Sequence, residues 1–160
     1  MYHYFTSKDD LFLTCARDFF QMMNDWLSDN FSDGSNLPPI QKIQAYFMCC
    51  IEYFQTYFEG FEIYKTFAIC PPGHLKKDIV ELHRPLADRN YVILKNIISE
   101  MNLRDSVPLD VAITYVSGVS WSYLIKLFQE RDSEMSGNEL EKAIREITDM
   151  IFFGIKAKAE

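Results

Sequence analysis

The sequence predicts an all-α protein of about six helices. Three observations lead there. Apolar residues recur at spacings of three and four in every long segment. The segments are separated by helix-ending punctuation: Ser32-Asp33-Gly34-Ser35-Asn36, Gly60, Pro71-Pro72-Gly73, Asn102 to Val107, and Asp132 to Asn138. No stretch alternates as a strand does, and no internal repeat or low-complexity tract is present.

The chain has 160 residues, enough for one domain with a sizeable core. Of these, 48% are hydrophobic and 15% aromatic, so the core is expected to be rich in Phe and Tyr. The formal net charge of −7 argues against nucleic-acid binding by this body, because affinity for phosphates comes mainly from Lys and Arg.

The first helix is expected from about Lys8 to Phe31. Ser7 is a good N-cap, and Asp10 lies three residues on, as in a capping box. Asp9 and Asp10 put negative charge in the first turn, where the helix dipole favours it. Leu11, Cys15, Phe19, Met22, Met23, Trp26 and Leu27 form its apolar stripe. Ahead of the cap, Met1 to Phe5 read as the end of another helix, with Thr6-Ser7-Lys8 as a turn.

Pro38 and Pro39 suit the first turn of a second helix, ending near Glu59. Ile43, Phe47, Cys50, Ile51, Phe54 and Phe58 make one stripe on it. Tyr46, Cys49, Tyr53 and Tyr57 make another, a column of phenols that reads as core edge or as pocket wall. Gly60 is expected to end this helix, and a short helix follows from Phe61 to Cys70.

A long segment from about His74 to Met101 carries Leu75, Ile79, Leu82, Leu86, Ile93, Ile97 and Met101 on its main stripe. Asn90 falls on that stripe and needs a partner if buried. His83 shares a second face with Ala87, Tyr91, Leu94 and Ile98. It reads as a core histidine or as a ligand contact. Pro85 predicts a kink or break near Leu82 to Arg84.

Pro108 opens a fifth helix that reaches about Arg131, with small residues and Trp121 at its centre. Gly118 there suggests a close helix contact, since glycine weakens a helix interior. The last helix, about Glu139 to Ala157, has Leu140, Ala143, Ile144, Ile147, Met150, Ile151, Gly154 and Ile155 on one side. Glu139, Glu141, Lys142, Arg145 and Glu146 fill the other.

Catalytic and metal chemistry find no constellation. No Gly-rich phosphate loop follows a strand, Gly118-Val119-Ser120 lies mid-helix, and Asp9-Asp10 is a cap. Cys15, Cys49, Cys50 and Cys70 have no zinc spacing with His3, His74 or His83. They read as reduced, buried thiols, with a thiol sensor as the other reading. No metal, cofactor or enzymatic activity is expected. Charged residues interrupt every apolar run short of a membrane span, and no signal peptide precedes the first helix. A cytoplasmic location without membrane contact is the expectation.

The run Tyr2-His3-Tyr4-Phe5, the turn Thr6-Ser7-Lys8 and the start Asp9-Asp10-Leu11-Phe12 resemble a junction in the TetR family of transcriptional regulators. There a recognition helix ends in an aromatic run, and an acidic helix start follows a short turn. Tyr2, Phe5, Ser7, Lys8, Leu11 and Phe12 fit that pattern, while Met1 stands where an apolar residue, often Leu, is usual. The final helix is similar to the family's last helix, though such endings are weakly specific.

The resemblance implies that residues 1–6 are the remnant of a DNA-binding helix-turn-helix, whose reading helices would lie before Met1. Residues 7–160 would be the ligand-binding and dimerisation domain. It implies a ligand-responsive regulator, usually a repressor, in which ligand moves the first helix. The last two helices would pair with their copies as a four-helix bundle in a homodimer. In an intact protein Tyr2, His3, Tyr4 and Lys8 would touch DNA phosphates.

An apolar, aromatic or cationic effector would lie near Tyr53, Tyr57, Tyr64, His83, Asn90, Tyr91 and Tyr123. The dimer seam is expected at Trp121, Leu124, Ile125, Phe128, Ile147, Met150, Ile151, Gly154 and Ile155, which exceed one core-facing strip. The alternatives are a stand-alone helical dimerisation module and a small carrier for a hydrophobic ligand.

Overall fold

Ser7 starts the first helix as its sequence suggests: the Asp10 N–H donates to Ser7 Oγ at 3.0 Å. The reciprocal half falls one residue earlier than a capping box would put it. The Asp10 carboxylate accepts from the Thr6 N–H at 2.9 Å and the Thr6 hydroxyl at 3.0 Å. These two bonds hold the Asp10 carboxyl below its ordinary value.

The computed structural model describes residues 4–32, 34, 36–57, 59–129 and 137–155. They form six α-helices: α1 (Lys8–Asn30), α2 (Pro39–Thr56), α3 (Gly60–Tyr64), α4 (Lys76–Ser99), α5 (Leu109–Gln129) and α6 (Gly137–Ile155). A π-helical turn, Lys65–Ile69, and a 3-10 turn, Gly73–Leu75, separate α3 from α4. The fold is all-α, with no strand among the described residues.

α4 is the helix the others share. It packs against α1, α2, α5 and the π turn, while α6 packs on α2 and α5. Ile79, Leu86, Leu94, Ile97 and Ile98 are its buried side chains. The helix runs unbroken through Pro85, where a kink or break was expected. Pro85 and Glu81 both lie on the exposed side. The carbonyl that the proline leaves without an N–H partner therefore faces solvent, and the interruption is tolerated.

α1 buries Ala16, Phe19, Phe20, Met23 and Leu27. Leu11, Cys15 and Met22, placed on its stripe by spacing, are exposed. α2 buries most of both stripes, because α1, α4 and α6 each cover part of it; Tyr57 is exposed, and Phe58 lies outside the described residues. Its one buried charge, Lys42, donates to both Glu100 carboxylate oxygens at 2.8 Å and ties the start of α2 to the end of α4. Gly60 opens α3 instead of only closing α2, and a Cβ there would meet the Tyr57 Cβ at 3.3 Å.

α5 departs from one expectation and leaves another open. A Cβ at Gly118 would meet nothing within 4 Å, so no described helix of this chain approaches it closely. Leu109–Phe128 is also long and apolar enough to cross a membrane, with a mean hydropathy of 1.3 over 20 residues. Its charges, Asp110 and Lys126, sit near the ends and do not interrupt the middle.

Candidate functional site

The rings of the interior meet at Tyr64, the last residue of α3. Tyr64 stacks on Trp121 of α5 with centroids 4.9 Å apart and planes within 7°. Phe54 of α2 lies at 5.9 Å, His83 of α4 at 6.1 Å and Phe19 of α1 at 6.5 Å. His83 also packs on Phe20 at 4.9 Å. Phe19 in turn reaches Tyr53 at 6.1 Å and Phe67 of the π turn at 5.9 Å. Six elements thus place rings in one continuous cluster.

Two residues of this cluster carry buried polar atoms without hydrogen-bond partners, Tyr53 Oη and His83 Nε2, and Asn90 Oδ1 is another such atom on α4. Burial lowers the His83 imidazole below its ordinary value, so the ring is neutral at physiological pH. Burial pushes the Tyr53 phenol up to about 12 and also raises those of Tyr46 and Tyr64 well above their ordinary value. It also raises the Cys49 thiol to about 11 and the Cys50 thiol to about 12. A buried, protonated thiol is a poor nucleophile, so this pair does not suit redox sensing. Cys15 and Cys70 are exposed, against the expectation that all four thiols are buried.

The seven residues expected at a ligand site divide. Tyr53, Tyr64 and His83 belong to the ring cluster, and Asn90 lies two turns beyond His83 on the same side of α4. Tyr57 stands at the exposed margin, 4.9 Å from the Tyr53 ring. Tyr91 is exposed and donates to Asp110 at 2.8 Å, on the side of α4 turned to the start of α5. Tyr123 lines an outer groove between α5 and α6. Trp121, Phe19, Phe20, Phe54 and Phe67 are members that spacing did not assign to the site. Tyr46 was legible in the phenol column of α2.

The expected dimer strip also divides. Trp121 stacks on Tyr64, and Phe128 stacks on Phe61 with centroids 5.1 Å apart. Leu124, Ile147 and Ile151 are buried within the protomer, and Ile125 packs partly buried against its core. Side chains already covered by their own chain have little surface to give a partner. Met150 is the member left open, 59% exposed. Gly154 and Ile155 end α6, and their surroundings lie outside the described residues.

The open apolar surface lies on the other side of α5. Val111 is 56% exposed and Tyr115 38%. A groove of about 530 Å³ is lined by Tyr115, Gly118, Val119, Tyr123, Ile147 and Met150, among others. At the start of the chain, Tyr4 and Lys8 are exposed, and Tyr2 and His3 lie outside the described residues. The Asp9 carboxylate meets His74 Nε2 at 3.1 Å there, linking the start of α1 to the segment before α4.

No three His, Cys, Asp or Glu side chains among the described residues are grouped to hold a metal ion. No family model, no curated protein and no solved structure matches this chain.

Proposed function

We propose that this chain is the ligand-binding and dimerisation body of a TetR-like transcriptional regulator, a repressor in the usual form of that family. The observation that carries the proposal is the state of α5. The helix has the hydropathy of a core element, yet on its outer side Val111 is 56% and Tyr115 38% exposed, next to the open Gly118. A helix apolar on all sides is normally covered on all sides. A second copy, packed by two-fold symmetry on the outer face of α5 and α6, supplies that cover. Gly118 then faces the partner, which explains why nothing in its own chain approaches it.

The ring cluster supports a ligand site in the same body. Apolar walls with a few unpaired polar atoms are the usual character of a small-molecule site. Phe19 touches Tyr53, Tyr64 and Phe67, so a ligand that displaced Tyr64 would press on α1 directly. α1 begins at the capped junction that carries the family resemblance. Movement there is how ligand occupancy would reach DNA-binding helices ahead of it.

The test is genetic and biochemical together. The gene should encode, in frame ahead of Met1, a basic helix-turn-helix. The 160-residue chain alone should bind DNA weakly and with strong salt dependence, since phosphate contacts position without specifying. A stop codon directly upstream would point to a stand-alone dimerisation module. Nanomolar, sequence-specific binding by the 160-residue chain would overturn the assignment.

A further inference from the structure

Resting on the reading of the ring cluster as a ligand site, we infer that it takes an uncharged, elongated aromatic molecule with a hydrogen-bonding group at each end, one matched to His83 and one to Asn90.

Length comes from α4. His83 and Asn90 are seven residues apart, so they stand on the same side of the helix, about 10 Å apart along its axis. Leu86, fully buried, lies between them. Two linked aromatic rings with a polar atom at each end cover that distance. The stacked pair Tyr64 and Trp121 beside His83 provides a flat wall.

The polar ends come from the unpaired atoms. Asn90 Oδ1 is an acceptor and asks for an O–H or N–H from the ligand. His83 Nε2 accepts or donates according to its tautomer, so a hydroxyl serves either way. Leaving such atoms buried and unpaired is costly, and a ligand that pairs them recovers that cost on binding.

The absence of charge comes from the surroundings. Every described Asp and Glu is exposed except Asp10, which is partly buried at the start of α1 and already accepts two hydrogen bonds from Thr6. A cationic ligand therefore finds no carboxylate in the interior. Among the described residues, the three cationic side chains that are at least partly buried are already engaged: Lys42 with Glu100, Lys65 with Glu62, and Arg89 with Asn24. An anion would find none of them available. Ring faces are a poor substitute for a carboxylate here, because Tyr64 and Trp121 each cover a face of the other. Burying an unpaired charge costs far more than two rings return.

The experiment compares one frame in four forms on the purified chain. The probes are unsubstituted biphenyl and biphenyl with hydroxyl, carboxylate or trimethylammonium groups at both para positions. Binding is read by quenching of tryptophan fluorescence and by the shift in melting temperature. The dihydroxy form should bind about tenfold more tightly than each of the other three. In Asn90→Leu that advantage over biphenyl should shrink about tenfold, while the melting temperature of the ligand-free chain rises.

Tightest binding of a charged form would overturn the ligand class and leave the ligand-binding reading standing. No binding of any form would overturn both, while dimerisation stays separately testable by sedimentation. A fall in the melting temperature of ligand-free Asn90→Leu would mean that water or the protein already satisfies Asn90, and would also overturn the inference.

Discussion

The cluster around Tyr64 and the outer face of α5 both carry large apolar side chains, the second interspersed with Thr114, Ser122 and Lys126, and they end in opposite states. In the first, rings from α1, α2, α3, α4 and α5 close on one another and trap polar atoms. In the second, Val111, Tyr115 and Met150 lie open beside Gly118, with nothing of the same chain above them. The difference teaches that a helix's apolar periodicity reports how much of it must be covered. It does not report which side its own chain covers.

Adjacent residues of α6 give the sharpest contrast. Ile151→Asp puts a carboxylate where the side chain is 1% exposed, inside the protomer. It should cost about 3–5 kcal/mol and leave the chain largely unfolded, read by far-ultraviolet circular dichroism in urea. Met150→Asp, on the open face, should change protomer stability by no more than about 0.5 kcal/mol. Its effect should appear in sedimentation, as dissociation. A folded, monomeric Ile151→Asp would move the seam back to the buried strip.

The closed region is tested next by removing a trapped atom. Tyr53→Phe deletes a buried hydroxyl that has no partner and keeps the ring contacts. It should raise unfolding free energy by about 1 kcal/mol, measured by urea denaturation. A loss of that size would show that Tyr53 Oη is satisfied.

His83 gives the region a pH signature. Its folded value is depressed from 6.5 by burial, so the unfolded chain binds a proton that the native state excludes. The stability contributed by the neutral ring is complete above 6.5 and is lost as pH falls through the lowered folded value. Denaturation midpoints should therefore decline below neutrality, and His83→Phe should flatten that decline. An unchanged slope in His83→Phe would place the titration elsewhere.

The smallest effect belongs to the open face. Gly118→Ala should stabilise the protomer by about 0.5–1 kcal/mol, since the added methyl meets nothing in its own chain. The same methyl should weaken self-association if a partner helix crosses there. A stabilised protomer with unchanged association would move the crossing point away from Gly118.

Much of this architecture was legible in the residues. Ser7, Pro39, Pro71-Pro72-Gly73 and Pro108 mark helix ends with local chemistry, and the elements begin or end beside them. The phenol column of α2 was legible as core edge or pocket wall from its helical period, and packing buries Tyr46, Cys49 and Tyr53 while leaving Tyr57 exposed. Trp121 was not assignable to the interior, since both sides of α5 are apolar and only packing distinguishes them. The π turn at Lys65–Ile69 leaves no sequence mark, because the same residues would serve an α-helix. Asn90 and His83 were assigned to different stripes, yet a separation of seven residues returns a helix to nearly the same side. Tyr91 fell outside the cluster because its hydroxyl has Asp110, a partner that only the packing of α4 on α5 brings near.

Sedimentation equilibrium of the unmodified chain, at micromolar concentration and moderate salt, tests the central claim most directly. A covered outer face of α5 requires a species of twice the 18.8 kDa chain mass, reduced to one chain mass by Met150→Asp with helicity intact. A monodisperse species of one chain mass would contradict the dimer, and with it the regulator body proposed for this chain.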